Sequence, residues 1–302
     1  MPTDTAIAEP SFDALELASK LAREHLLKKS EGPFKDSAIF THRCRIDTGG
    51  VAAGDFKLKI FDRKGDDGFG VELAKFRGTS GGATLGGLAG AGTIECWIPP
   101  QAISNWEATF AVEAGGLGFA FAFAELWSMD HRLIGVAVVS GGGVGVNVAG
   151  GKGQFGQAQP CYITVADSPK VVDLDDGSSE NGAKIQIWDY HGGDNQQWRL
   201  EEVEPGYFYI ASVRTGKAIT VKGGSSEPGS PLVQWERNGG DNQKWKILAA
   251  GDKSKRFAFA SKSHPQMLID LTGGVTDNGT PLQQWTNLGY WNQSWSLQSF
   301  VR

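Results

Sequence analysis

Three stretches decide how this chain is read: NGAKIQIWDYHGGDNQQW at 181–198, GSPLVQWERNGGDNQKW at 229–245 and NGTPLQQWTNLGYWNQSW at 278–295. Their last tryptophans, Trp198, Trp245 and Trp295, stand 47 and 50 residues apart. Their first tryptophans, Trp188, Trp235 and Trp285, keep the same two spacings. A register held at six tryptophans in three copies is an internal repeat, with a period typical of repeat architectures. Each copy contains about four strand-length runs, in the first CYITVA, VVDL, AKIQIW and WRLEE. One such unit cannot bury its apolar face alone. Three around a pseudo-threefold axis can.

Each copy closes on N-Q-x-W: Asn195-Gln196-Gln197-Trp198, Asn242-Gln243-Lys244-Trp245 and Asn292-Gln293-Ser294-Trp295. Over residues 158–302 this pattern resembles the ricin B-type β-trefoil lectins and carbohydrate-binding modules. The closing tryptophan suits a hydrophobic core. The glutamine amide suits an irregular turn whose backbone groups need partners.

A pyranose presents an apolar C–H face and a fan of hydroxyls, so its site needs an aromatic plate, a carboxylate and amides. The resemblance implies that an Asp after an apolar pair, the aromatic ending the hairpin and the Asn before the Gln supply them. The first repeat carries Asp173, Gln186, Trp188, His191, Asn195 and Gln196 at those positions. The third carries Asp270, Gln283, Trp285, Asn292 and Gln293, with Leu288 in place of the histidine and Tyr290 and Trp291 as extra surface. The second departs, with Thr220 for the Asp and Val233 for the first Gln, and is expected to be structural or much weaker. The resemblance implies galactose or N-acetylgalactosamine as the sugar and cell-surface glycans as partners, bound multivalently through two weak sites.

The chain has 42 glycines among 302 residues, about twice average usage, and 25 of them fall between residues 49 and 156. Between them lie FKLKIF (56–61), TIECWI (93–98), ATFAVEA (108–114), FAFAFAELW (119–127), RLIGVAVV (132–139) and VGVNV (144–148), each strand-like. In FAFAFAELW the alternation of Phe119, Phe121 and Phe123 with alanines puts large and small side chains on opposite faces, with the large ones expected to fill a small barrel. Glycine is expected at turns and bulges. FAELWSMDHRLIGVAVVSGGGVGVNVAGGKGQF (123–155) is similar to the end of the Gly-rich β-barrel of actinobacterial virulence-associated proteins. That resemblance implies an eight-stranded barrel without a catalytic constellation, in proteins acting on host membranous compartments. Before it, residues 11–29 read as an amphipathic helix with Phe12, Leu15, Ala18, Leu21, Ala22 and Leu26 on one face.

The fold class expected is therefore all-β: an N-terminal helix and linker (1–33), a small Gly-rich β-barrel (34–157) and a C-terminal β-trefoil (158–302). A net charge of −5 argues against nucleic acid as a partner. GTSGGATLGG (78–87) and SGGGVGVNVAGGKG (140–153) do not fit a phosphate loop. The five histidines show no ligand spacing, so neither a metal nor a cofactor is expected. Glu95, Glu107, Glu113 and Glu125 read as solvent-facing rather than as a glycosidase pair. The chain is thus taken as non-enzymatic, with no catalytic residues. No apolar run is long enough to span a membrane. Three cysteines, Cys44, Cys96 and Cys161, and no signal-like N-terminus suggest a cytoplasmic protein or release by a route that needs no signal. Three roles stay open for the N-terminal half: an effector module of a chimeric defence lectin or toxin, a homo-oligomerisation module of a plain lectin, or a small enzyme carrying the binding module.

Overall fold

The three closing tryptophans set the C-terminal architecture. A computed structural model describes residues 12–28, 38–48, 55–64, 68–80, 88–103, 106–114, 120–129, 131–143, 148–156, 159–250 and 256–299. It divides into two compact units, residues 1–32 with 39–158 and residues 33–38 with 159–302.

The first unit holds α1 (Phe12–Lys28) and eight strands: β1 (Phe40–Thr48), β2 (Asp55–Lys64), β3 (Gly68–Ser80), β4 (Leu88–Cys96), β5 (Glu107–Ala114), β6 (Ala120–Ser128), β7 (Leu133–Gly143) and β8 (Val148–Phe155). They close into a barrel in the order β1-β2-β3-β8-β5-β6-β7-β4. Two of these strands, β1 and β3, were not expected from sequence. In FTHRCRIDT the inward Cys44 and Ile46 alternate with Arg43 and Arg45, and that mixture hides the strand signal.

Side-chain register overturns the expected lining. Ala122 and Ala124, the small members of β6, are buried and pair across the sheet with Val139 and Ala137. Gly78, Gly92, Gly151 and Gly153 lie within strands rather than at turns. The interior is filled instead by Phe56 stacked on Phe110 at 4.2 Å and by Phe76 against Phe155 at 4.9 Å. An eight-stranded barrel has just enough interior for side chains, so rings from some strands demand glycine or alanine on the others. The side chains of Phe119, Phe121 and Phe123 lie outside those described, as do residues 144–147 of the expected strand at 144–148. A methyl group on Gly153 would lie 2.5 Å from Phe76 Cζ and 2.3 Å from the Arg77 carbonyl, whereas on Gly156 it would come no nearer than 3.7 Å to any atom. Gly153→Ala should therefore destabilise this unit by about 1–3 kcal/mol or prevent its closure, while Gly156→Ala should be near neutral. Thermal denaturation of both variants measures the difference.

Helix α1 packs on the barrel over β4 and β7 through Ala18, Ala22 and Leu26, spaced four residues apart. It buries Thr93, Glu95, Val136 and Val138. Glu95, expected to face solvent, is therefore fully buried and accepts hydrogen bonds from Ser19 at 2.5 Å and Thr41 at 2.8 Å. Glu125 is also largely covered: it pairs with His25 and accepts from Trp127 Nε1 at 3.1 Å. Glu107 is exposed, and the Glu113 side chain lies outside those described.

The second unit holds twelve strands: β9 (Cys161–Val165), β10 (Val171–Leu174), β11 (Ile185–Trp188), β12 (Trp198–Glu204), β13 (Tyr207–Ser212), β14 (Ala218–Val221), β15 (Ser230–Trp235), β16 (Trp245–Ala249), β17 (Phe257–Ser261), β18 (Met267–Leu271), β19 (Leu282–Thr286) and β20 (Trp295–Ser299). Six of them close a ring in which β9 pairs β12, β12 pairs β13, β13 pairs β16, β16 pairs β17, β17 pairs β20 and β20 returns to β9. The other six form the hairpins β10–β11, β14–β15 and β18–β19. Threefold repetition in sequence thus becomes three equivalent four-strand units. Trp198, Trp245 and Trp295 are fully buried, and their indole N–H groups donate to the carbonyls of Val172, Ile219 and Ile269 at 3.0, 3.0 and 3.1 Å.

Candidate functional site

The glutamine of each N-Q-x-W holds the loop in front of it. Gln196 donates to the Asp189 carbonyl and accepts from the His191 amide, both at 2.9 Å. Gln243 does the same for Glu236 and Asn238, and Gln293 for Thr286 and Leu288. A short 3-10 turn places the preceding Asn against the strand that carries the Asp.

In the first repeat this brings all six expected residues together. Asp173, on β10, is buried and accepts from Gln186 Nε2 at 3.1 Å on Oδ1. Its Oδ2 accepts from Asn195 Nδ2 at 2.9 Å and Gln196 Nε2 at 3.1 Å, and His191 Nε2 stands 3.7 Å away. A carboxylate has about four acceptor positions, so three amides leave capacity for a further donor. Gln186 Oε1 is buried and accepts from no protein group. Beside this polar cluster Trp188 is 38% exposed at the end of its hairpin.

The third repeat repeats the geometry. Asp270 accepts from Gln283 and Asn292, both at 2.9 Å. Trp285 is 37% exposed, and Tyr290 and Trp291 are exposed near it. Leu288, standing where His191 does, is exposed and brings no polar group.

In the second repeat Trp235 is equally presented at 40% exposure. What differs is the floor. Thr220 donates to its neighbour Ala218 at 2.9 Å and accepts from Gln243 at 3.1 Å, so it closes on itself. Val233 is buried and offers nothing polar. Asn242 keeps only its bond to the Val221 carbonyl, at 3.0 Å.

A family model described as ricin-type beta-trefoil lectin domain-like matches residues 194–285. The C-terminal half is a ricin B-type β-trefoil lectin-like domain. Among solved structures, it is similar to ThreeFoil, a designed threefold-symmetric protein, with 30% identity, 47% of this chain and 99% of that chain covered, and a TM-score of 0.45. The Macrolepiota procera ricin B-like lectin in complex with lactose shows 26% identity, 46% and 94% coverage and a TM-score of 0.41. The Rhizoctonia solani agglutinin shows 24% identity, 46% and 93% coverage and a TM-score of 0.42. No curated protein matches the chain.

Electrostatics separate the two complete clusters of the lectin-like domain from its surface charges. Burial is the largest influence on Asp173 and raises its pKa above the ordinary aspartate value, against the pull of Gln186, Gln196 and His191. Burial likewise raises Asp270, against Gln283, Gln293 and Asn292. The surface carboxylates Glu204 and Asp241 move the other way, lowered by hydrogen bonds from Lys244 and Lys262.

One feature of each cluster was missed in the sequence. Gly279, from the third repeat, lies under Trp188 of the first: a methyl group there would be 3.6 Å from the indole. Gly182 stands in the same relation to Trp235, and Gly229 to Trp285. All three have positive φ, at 90°, 85° and 88° for Gly182, Gly229 and Gly279. Each tryptophan is thus seated on a neighbouring repeat, and the recurring glycine six residues before each tryptophan is the signal that marks it.

Proposed function

We propose that the lectin-like domain binds galactose- or N-acetylgalactosamine-type glycans through its first and third repeats, and that the second repeat is structural. The observation that supports this reading is the buried, amide-held carboxylate beside an exposed tryptophan at Asp173–Trp188 and Asp270–Trp285, absent at Thr220–Trp235. The indole takes the apolar sugar face. The carboxylate accepts from hydroxyls, and Asn195 or Asn292 fixes its orientation. Two sites on one chain suit multivalent attachment to cell-surface glycans. A glycan array on the intact protein tests the reading, with enrichment of terminal galactose and N-acetylgalactosamine expected.

Acidification should weaken binding with a definite sign. A raised carboxyl pKa in the fold means that the group's contribution to stability is complete below the ordinary aspartate pKa and is lost as pH rises through the raised value. The charge needed for accepting hydroxyls is therefore carried at neutral pH at some cost in stability. Protonation removes that acceptor at a higher pH than for a solvent-exposed aspartate. In an Asp173→Thr protein, which leaves Asp270 with no histidine beside it, galactose affinity should fall about tenfold per pH unit below the Asp270 pKa. Calorimetric titration across the acid range checks this. An affinity that holds flat down to the ordinary aspartate pKa would exclude Asp270 as the acceptor.

For the N-terminal barrel we favour a non-catalytic effector role in a chimeric defence lectin or toxin. Burial raises the pKa of both cysteines of the barrel, Cys44 and Cys96, which disfavours either as a thiolate nucleophile. Buried, unpaired thiols also suit a reducing, cytoplasmic setting. Leakage of vesicles bearing a galactose-terminated glycolipid tests the effector role, and the size-exclusion mass tests oligomerisation. The enzyme alternative has one foothold, an open cavity of about 500 Å³ that brings Asp55 and Glu107 together with Lys57, Arg77 and Lys152. Oligosaccharides incubated with the intact protein should be recovered uncleaved.

A further inference from the structure

The three repeats are alike in their ring strands but not in what fills the groove beside each hairpin. Cross-strand pairs Trp198–Cys161, Trp245–Phe208 and Trp295–Phe257 make Tyr162, Tyr209 and Ala258 equivalent positions. Two residues after each exposed tryptophan stand Tyr190, Arg237 and Asn287. In the first repeat Tyr162 and Tyr190 pack with ring centroids 4.8 Å apart. In the second the Arg237 guanidinium lies 5.5 Å from the Tyr209 ring and pairs with Glu201 at 2.6 Å. In the third both positions are small, and Leu248, the strand partner of Ala258, stands where Glu201 partners Tyr209. The result is a cleft of about 440 Å³ lined by Leu248, Arg256, Ala258, Leu268, Tyr290 and Trp291, among other residues.

Its neighbours make this cleft more than a void. Gly193-Asp194 and Gly240-Asp241 of the first two repeats become Tyr290-Trp291 in the third. Asp194 and Asp241 are held in ion pairs, with Arg214 and Lys244, both at 3.0 Å. Trp291 instead lies over the turn that follows Asp270, where a methyl group on Gly274 would be 3.2 Å from its Cζ2. The next residue, Asn292, donates to Asp270. Trp291 therefore borders both the carboxylate cluster and the cleft. Exposed aromatic rings beside Leu248 and Ala258 suit the C–H face of a sugar ring, and the polar lining from Asn287, Gln293 and Ser294 suits its hydroxyls. At the rim Arg256, paired with Asp167 at 2.5 Å, supplies groups for hydroxyls.

We propose that this cleft seats a second sugar ring, so that the third repeat selects a disaccharide or longer glycan where the first takes a single terminal sugar. The proposal rests on the reading of the third repeat as a sugar site. The test uses the full chain carrying Asp173→Thr, which leaves the third repeat as the sole complete site, titrated with galactose and with lactose. Lactose should bind about tenfold more tightly, or about 1.4 kcal/mol. Adding Ala258→Tyr with Asn287→Tyr, which restores the filling of the first repeat, should erase that preference and leave galactose affinity unchanged. Trp291→Asp, the residue of the other repeats, should lower lactose affinity more than galactose affinity and so remove the preference, and it decides the matter if the double tyrosine variant does not fold. A lactose preference that is absent from the start, or that survives in the folded variants, overturns the second-ring subsite alone. Failure of the Asp173→Thr protein to bind either sugar overturns the third repeat as a sugar site, and the subsite with it.

Discussion

Trp245→Ala is expected to destabilise the lectin-like domain by about 4–6 kcal/mol. Truncating a fully buried tryptophan typically costs about 3–5 kcal/mol in lost burial and residual cavity. The change also removes the indole donor to the Ile219 carbonyl and leaves that buried acceptor short, worth about another 1 kcal/mol. Trp198→Ala and Trp295→Ala should behave alike, because their burial and their carbonyl partners are equivalent. Trp235→Ala should cost less, about 1–3 kcal/mol, since its side chain is 40% exposed and has only part of its surface to lose from burial. Urea denaturation followed by far-UV circular dichroism measures both classes. Equal costs for the two sets would contradict the division into three core and three surface tryptophans.

Asp173→Thr combined with Asp270→Thr is expected to abolish glycan binding and leave the fold intact. Each change removes hydrogen bonds to a charged group, worth about 1.5–3 kcal/mol at a weak site. Threonine is the right replacement because Thr220 already occupies the equivalent register, pairing with Val233 as Asp173 pairs with Gln186. It keeps the bond from the structural glutamine, as Gln243 donates to Thr220. The substitution also removes a desolvated charge, which offsets part of the cost of leaving the Gln186 and Gln283 amides without their acceptor. Unchanged array binding by a folded double variant would refute the site assignment.

Most of the C-terminal half was legible because its repeat writes the same physical demand three times. A buried tryptophan, a glutamine bracing a loop and an exposed tryptophan recur at fixed spacing, and departures such as Thr220 stand out against the other two copies. Seating of each exposed tryptophan on the preceding repeat's glycine was not legible, since repeat order in sequence does not say which copies touch. Nor was the open cleft, which needs the register of β16 and β17 to bring Leu248, Ala258 and Asn287 together. The barrel was read less well. Its glycines were assigned to turns and to bulges within strands, but Gly92 and Gly153 sit in strands of unbroken register, where a methyl group would strike neighbouring backbone at 2.0 and 2.3 Å. Periodicity showed the alternation in β6 but not which face turned inward, and one-residue register decides that. Glu95 was misjudged for a related reason: only the docking of α1 turns an outward-facing strand position into a buried one.

On the proposed function, two of the three repeats bind sugar. Titration calorimetry with galactose on the intact protein, on Asp173→Thr, on Asp270→Thr and on the double variant tests it most directly. Two sites per chain, one in each single variant and none in the double variant are the expected stoichiometries. Three sites in the intact protein, or any site surviving in the double variant, would contradict it.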